Sequence, residues 1–273
     1  MKQQDDRVDL AAITEESRAI WNANAGHWDD YMGPQGNDFH RLLVAPAAER
    51  LLAIQSGETV LEIACGAGLF ARRMAELGAL VVATDFSEVF LERARIRCQA
   101  FTDRIEFRLL DATDADGLRA LGEHRFDAVV TNMALMDIAD LWPMASALPH
   151  LLKEGGRFVF TTCHPCFNHA GKTMIAEEED TGGGPRVTSS VRINRYLSLS
   201  MDKGTGIPGQ QTAQYYFDRP LHRLLAPFLE VGLALHGLEE PAFDASVPNR
   251  LQTRWGGSFH EIPPVLAVRM RPC

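Results

Sequence analysis

Two stretches carry residue types in spacings that could do chemistry. The first is VLEIACGAGLFA, Val60 to Ala71, in which a β-rich run passes through Gly66 and Gly68 into a helical pattern. Glycines at such a strand-to-helix turn let the backbone bend tightly and approach a ligand, and the free N–H groups at the helix start favour an anionic or strongly hydrogen-bonding group. Asp85 closes the next β-rich run, nineteen positions beyond Gly66. A carboxylate there could accept both hydroxyls of a ribose. The second stretch is TTCHPCFNH, Thr161 to His169, with a C-x-x-C pair and two histidines. It could serve as a redox dithiol, half of a zinc site, or the wall of a pocket built for other chemistry.

The elements that must position these residues follow a repeating pattern. TVLEIAC (59–65), LVVATDF (80–86), RIEFRLLD (104–111), FDAVVTNMA (126–134) and GRFVFTTC (156–163) read as strands. Between them lie helical stretches at 69–78, at 87–100 with Ser87 as N-cap, from about Asp114, and at 140–152. Strands alternating with helices predict a parallel sheet with helices on both faces. About sixty mostly helical residues precede this core. Residues 168–217 break the rhythm with "EEEDTGGGP" and "KGTGIPGQQ", which predict loops with a short hairpin acting as a substrate cap. A final helix (RPLHRLLAPFLEVG) and two strands (LALHGLEEP, PPVLAVRMRP) that pair antiparallel complete the chain. The expected division is one domain: a lid (1–50), a cofactor-binding core (51–165), a cap insert (166–218), and a last helix with its strand pair (219–273).

Gly66-x-Gly68-x-x-Ala71 also satisfies the relaxed dinucleotide fingerprint, so a nicotinamide-dependent oxidoreductase is one reading of the glycines alone. Glu62 stands inside the strand before the glycines, where it can face the crevice and orient a ligand's amino group. Asp111, in "LLDATD", ends the third strand and suits an adenine amine. "FDAVVTNMALMD" brings a fourth strand and its loop to the same sheet edge.

On these residues the sequence resembles class I S-adenosylmethionine-dependent methyltransferases, in the small-molecule branch often called methyltransferase type 11. The motifs that carry the resemblance are E62-I-A-C-G-A-G68, the acid of "VVATDFS", "LLDATD", "FDAVVTNMALMD" and "LLKEGGRFVF". The resemblance implies a Rossmann-like seven-stranded sheet of order 3-2-1-4-5-7-6 with strand 7 antiparallel. It also implies S-adenosylmethionine as cofactor and S-adenosylhomocysteine as product. Carried onto this chain, the cofactor positions are Glu62, Ala64, Cys65, Gly66, Gly68, Asp85, Phe86, Asp111, Ala112, Asn132, Met133 and Ala134. The family often has glycine where Ala64 stands, and alanine there is tolerable if the position keeps a negative φ.

The implied reaction is in-line displacement of the methyl group onto oxygen, nitrogen or carbon of a small-molecule acceptor. His164, directly after the fifth strand, is the candidate base, since an ordinary imidazole can take a proton near neutrality. Trp28, with Trp21 on one helical face, and Tyr31 a turn further suggest an aromatic lid over the sulfonium. Asp137 could orient substrate or cap the following helix, and Tyr215 and Tyr216 follow the insert at the acceptor side. His40 and Arg41 are candidates for the cofactor carboxylate or for an outward ion pair. A non-catalytic protein that keeps the cofactor site for binding alone is the remaining alternative.

Composition narrows the partners. A net charge of −9 with interspersed acids and bases gives no basic stripe for nucleic acid. The densest basic run, Arg93, Arg95 and Arg97, reads as the solvated face of a helix. MKQQDDRVDLAAITEE does not have the form of a signal peptide, no apolar stretch is long enough to span a bilayer, and five cysteines make no disulfide framework. These features predict a cytoplasmic, unanchored monomer or homodimer that holds no metal.

Overall fold

The computed structural model describes residues 9–198, 201–249 and 251–273. Met1 to Val8, the first part of the segment read for a targeting signal and a lid, lie outside the described residues. Helix α1 (Leu10–Met32) is capped by Asp9, whose carboxylate accepts from the N–H groups of Ala11 and Ala12. A π-helical turn at His40–Val44 runs into α2 (Ala45–Leu52).

The core then alternates as the hydrophobic pattern requires. It runs through β1 (Thr59–Ile63), α3 (Leu69–Glu76), β2 (Leu80–Asp85), α4 (Glu88–Arg97), β3 (Ile105–Leu109) and α5 (Ala115–Arg119). It continues through β4 (Phe126–Asn132), α6 (Trp142–Leu151) and β5 (Leu152–Cys163). Ser87 caps α4 by accepting from Phe90 N–H, and Asp114 caps α5 by accepting from Gly117 N–H. Both are the short polar side chains that helix starts favour.

After β5 come β6 (Lys172–Thr181), β7 (Gly184–Ile193), β8 (Met201–Gly204) and β9 (Gln214–Phe217). The chain finishes with α7 (Leu221–Glu230), β10 (Leu233–Glu239) and β11 (Val265–Pro272). The main sheet has seven strands in the order β10-β11-β5-β4-β1-β2-β3. This is the expected 3-2-1-4-5-7-6 order, with β11 antiparallel to both β5 and β10. Strands β1 to β5 pair in parallel, so their carboxyl ends share one edge.

Two apolar layers sandwich the sheet, as a parallel sheet requires. One packs α5, α6 and α7 around Phe126, Phe158, Phe160 and Phe228. The other packs α2, α3 and α4 around Leu52, Val60, Phe70, Met74 and Leu91. Both faces of β1 are therefore covered, which leaves its carboxyl end as the place where a polar side chain can meet a ligand.

The insert departs from the sequence reading. In place of loops with a short hairpin, β6 and β7 form a ten-residue antiparallel ladder from Lys172–Ile193 out to Thr181–Gly184. Most of its outer residues are exposed on both faces, so no apolar alternation marked it in sequence. A second small ladder joins β8 to β9.

The basic run of α4 is also corrected. Arg97 is largely buried and pairs with Asp29 of α1, while Arg93 reaches Asp29 at 2.9 Å and Asp30 at 3.4 Å. These arginines pin α1 across the sheet edge, and only Arg95, paired with Glu88 at 3.0 Å, behaves as solvated surface. No helix among the described residues is long and apolar enough to cross a membrane.

Candidate active site

At the carboxyl ends of β1, β2 and β4, under α1, lies a cavity of about 680 Å³. Glu62, Ala64, Cys65, Gly66, Asp85, Phe86, Asp111, Ala112, Asn132, Met133 and Ala134 all line it, as do Trp28, Tyr31, Asp137 and Tyr216. Five residues singled out in the sequence do not: Arg41, Gly68, His164, Cys166 and Tyr215.

The glycine loop is built from unusual backbone. Gly66 and Gly68 have φ of 52° and 75°, and Ala64 has φ of 59°, so the condition of a negative φ, under which alanine is tolerated without cost, is not met. An L-residue in this left-handed region carries strain of roughly 1–2 kcal/mol. The chain leaves buried β1 and must turn at once into α3, and that turn sets the conformation regardless of residue type. A side chain at Gly66 would meet nothing within 4 Å, so its backbone borders open cavity. Gly68 has a different role. A Cβ there would lie 3.0 Å from the Ala94 Cβ and 3.3 Å from the Cys98 sulfur, so this glycine lets α3 sit close against α4.

Glu62 is 2% exposed. Burial, with the Asp85 charge adding, pushes its carboxyl up to about 8 against the pull of the Ala71 N–H. Oε2 of this carboxyl is buried without a hydrogen-bond partner, and so are Asn132 Nδ2 and Trp28 Nε1. Orphaned buried polar atoms are rare in folded proteins, and these three, with Ser17 Oγ and His169 Nε2 on the same cavity, mark a surface shaped for a polar ligand.

Asp85 is 4% exposed. Its Oδ2 accepts from Gly66 N–H at 2.8 Å and its Oδ1 from Ser87 N–H at 2.9 Å. Burial pushes it up to about 6 against those bonds. Each oxygen keeps a further lone pair, the arrangement a vicinal diol needs.

Asp111 is more occupied than the sequence suggested. Oδ1 accepts from Thr113 N–H and Oγ, and Oδ2 accepts from Arg18 of α1 at 2.9 Å. One lone pair remains on Oδ2 for an amine. His40 lines the cavity with its imidazole lowered by burial to about 4, hence neutral, whereas Arg41 turns outward to Asp38.

A period of two explains both misplaced catalytic-side residues. Successive side chains on an extended segment point to opposite sides. Cys163 faces the cavity, so His164 falls on the far side, where Nε2 bonds Glu240 at 2.8 Å and Nδ1 accepts from Cys166 N–H. With both ring nitrogens engaged and the ring off the cavity, His164 is a structural residue and not the candidate base. On β9, Gln214 and Tyr216 face the cavity, while Tyr215 turns away to pack with Ile20 and Phe217 and to donate its hydroxyl to Glu16.

The C-x-x-C pair divides in the same way. The Cys163 thiol, pushed up to about 12 by burial, borders the cavity, and the Cys166 sulfur lies 3.8 Å from the Tyr196 hydroxyl. Asp137 does not cap α6, since Asp140 accepts from Trp142 N–H there. Its carboxylate accepts instead from Gln214 Nε2 at 3.1 Å.

Sequence reasoning missed several cavity residues. His169, 4% exposed with a partnerless Nε2, was noticed only as a metal ligand. Lys172, Gln214 and Trp255 also line the cavity, and nothing in their local sequence distinguishes them from loop and cap residues.

Comparison with known proteins places this geometry. A demethylmenaquinone methyltransferase of Clavibacter sepedonicus is 39% identical over 155 residues, 56% of this chain and 60% of its own length. A ubiquinone biosynthesis O-methyltransferase of Alkalilimnicola ehrlichii is 31% identical over 155 residues, 55% of this chain and 60% of its own length. The match thus spans less than two thirds of these curated relatives. Among solved structures, an S-adenosylmethionine-dependent methyltransferase from Mesorhizobium loti superposes with a TM-score of 0.64 at 26% identity, over 88% of this chain and 100% of that one. Residues 54–214, more than half of the chain, match a family described as a methyltransferase domain, and the chain belongs to that family.

Proposed function

We infer that the chain transfers the methyl group of S-adenosylmethionine to a small-molecule acceptor. The observation that carries this reading is Glu62, a carboxyl inside a strand whose buried Oε2 has no protein partner and borders the cavity. Hydrophobic residues on both sides of β1 would normally exclude it, and a cationic amino group of the ligand is the partner that makes its burial favourable.

The rest of the cavity fits the same molecule. Glu62 and the segment Ala64–Gly66 hold the methionyl end, with Asn132 Nδ2 as a free donor beside it. Asp85 offers two acceptor sites to the ribose hydroxyls. Asp111 and Ala112 border the adenine, with Phe86 against its face. When bound, the cofactor supplies an already activated methyl group, so the protein's work is to align the acceptor and exclude water. Trp28 and Tyr31 of α1 close the cavity over this region and offer π-faces to positive charge.

An acceptor of modest size suits the mainly apolar, aromatic outer wall. The two curated relatives, named for quinone-related methylations, support the same size class. All five cysteines are free thiols, which supports a reducing cytoplasmic setting. We read the protein as a monomer or homodimer.

Calorimetric titration with S-adenosylhomocysteine is the direct test, with a dissociation constant in the micromolar range expected. No binding by a folded sample overturns the reading. Thermal stabilisation by NAD or NADP with none by S-adenosylmethionine would move the chain to the oxidoreductases.

A further inference from the structure

Beyond Asn132–Ala134 the cavity continues into a second wall made largely by the insert. Asp137, Cys163, His169, Lys172, Gln214 and Tyr216 line it. Asp137 stands closest in sequence to the cofactor segment. Its N–H donates to Ala134 O at 2.8 Å, closing a turn that brings the carboxylate back beside the end of β4.

A chain of buried glutamines fixes that carboxylate. Gly206 N–H at 2.8 Å and Ile207 N–H at 3.4 Å donate to Gln210 Oε1. The Gln210 amide nitrogen is therefore turned toward Thr212 O at 2.7 Å and Gln214 Oε1 at 3.1 Å. That in turn points Gln214 Nε2 at Asp137 Oδ1, 3.1 Å away. The backbone N–H groups at one end set the direction of both amides. Gln210 and Gln214 are 8% and 1% exposed. Burying two primary amides is unfavourable unless each is satisfied, so this network holds one geometry. Among the described residues Asp137 Oδ2 has no hydrogen-bond partner, and the residue borders the cavity.

The geometry points to Asp137 as the group that takes the proton from a hydroxyl acceptor, with Gln214 and Gln210 as its positioning residues. This rests on the methyl-transfer reading above. The acceptor oxygen bonds to the methyl carbon while the sulfur–carbon bond breaks, its electron pair remaining on sulfur. The hydroxyl proton passes to Asp137 Oδ2, and the carboxylate becomes a neutral acid that returns the proton to solvent after product leaves.

The titratable groups facing Asp137 are Cys163 at the end of β5, Tyr216 on β9 and Asp218 just after it, with Lys172 at the start of β6 beyond them. Burial pushes the Asp137 carboxyl well above the usual range, Gln214 pulls it down, and Asp218 raises it. A carboxyl raised in this way binds a proton more strongly than an ordinary carboxylate, which suits an acceptor that must shed one. Tyr216 on this wall and the Trp28 ring that meets it at Gly206 favour a ring-borne hydroxyl, a phenol, catechol or hydroquinone.

Asp137→Asn tests the role, because the new side chain keeps an oxygen for Gln214 and presents an amide donor in place of Oδ2. The probes are catechol, hydroquinone and 4-hydroxybenzoate, with N,N-dimethylaniline as an acceptor that has no proton to lose. Wild type should methylate at least one phenolic probe. The asparagine variant should lose roughly 10²- to 10⁴-fold in kcat on it while keeping S-adenosylhomocysteine affinity within about twofold. Gln214→Ala should lower kcat less and move the acidic limb of the kcat/KM profile to higher pH, since an N–H that favours the carboxylate is lost.

Retention of activity within about threefold by Asp137→Asn overturns the proposal, and so does failure of wild type that binds S-adenosylhomocysteine to methylate any phenolic probe. Both outcomes leave the methyl-transfer reading standing. Failure of wild type to bind S-adenosylhomocysteine, read before any acceptor is added, overturns both.

Discussion

Replacing Glu62 with glutamine should stabilise the ligand-free protein at neutral pH while weakening cofactor binding. The carboxyl ordinarily titrates near 4.5, and burial raises it to about 8 in the folded chain. Between those values the unfolded chain has released the proton that the folded chain retains. Stability therefore falls as pH rises through this window, by about 1.4 kcal/mol per pH unit. From pH 4.5 to pH 7 the deficit accumulates to about 3 kcal/mol. Glutamine has no charged form in the unfolded chain, so it escapes the deficit. Its carbonyl oxygen still faces the Ala71 N–H, and its amide nitrogen replaces an acid oxygen that was equally without a partner. The variant should gain about 3 kcal/mol at pH 7 and nothing near pH 4.5. At about 2–4 °C per kcal/mol, Tm at pH 7 rises by about 6–12 °C. Melting curves of ligand-free wild type and Glu62→Gln at pH 5 and pH 7.5 measure the difference directly. Loss of the anion opposite a ligand ammonium should weaken S-adenosylhomocysteine by about 10- to 100-fold. A variant that is less stable at pH 7.5, or whose Tm offset is the same at both pH values, refutes the reasoning.

The same acid should release close to one proton when S-adenosylhomocysteine binds at pH 7, because the ligand ammonium favours the ionised form; titrations in buffers of different ionisation enthalpy read the number, and zero counts against it. Ala64→Gly should raise stability by up to about 1 kcal/mol, since relief of about 1–2 kcal/mol of left-handed strain exceeds the added freedom of the unfolded chain; a lower urea midpoint would contradict the assignment. His164→Ala should destabilise by about 1–3 kcal/mol through loss of the buried ring and the orphaned Cys166 N–H, with S-adenosylhomocysteine affinity unchanged; a large loss of affinity would return His164 to the cavity wall. Arg97→Ala should speed amide exchange in α1 without lowering protection of β1 and β4, because Asp29 loses its most buried partner; uniform loss of protection would show that α1 is part of the global folding unit.

The sheet was legible because each core strand is a short apolar run, the first three of them followed by a glycine or an acid, and because Ser87 and Asp114 announce helix starts by residue type. The glycine loop and its acids were legible for the same reason: their chemistry and spacing are local. Three features were not. The left-handed φ of Ala64 contradicts the residue's own preference and is imposed by the β1–α3 turn. The β6–β7 ladder carries polar residues on both faces, so it has no hydrophobic period to read. The side on which His164 and Tyr215 fall depends on strand parity, which a shift of one residue inverts. The Gln210–Gln214 chain was hidden for a further reason, since buried amides at that spacing have the same composition as an ordinary polar loop.

Helix α1 ties the two halves of the cavity to each other. On the cofactor side it is held by Arg18 to Asp111, Asn22 to Ser87, and Asp29 to Arg93 and Arg97. On the acceptor side the insert grips the same helix, with Thr212 O accepting from Asn24, Pro208 O meeting the His27 ring at 2.9 Å, and Lys203 pairing with Glu16 at 2.5 Å. Gly206 shows how tight this junction is. A Cβ there would lie 2.7 Å from both the Trp28 ring and the Tyr216 hydroxyl, so the loop that orients Gln210 can reach its place only without a side chain. The cofactor anchors and the loop that carries the glutamine chain behind Asp137 thus contact one helix. A ligand that orders α1 from the adenine side also sets the wall against which the acceptor must fit.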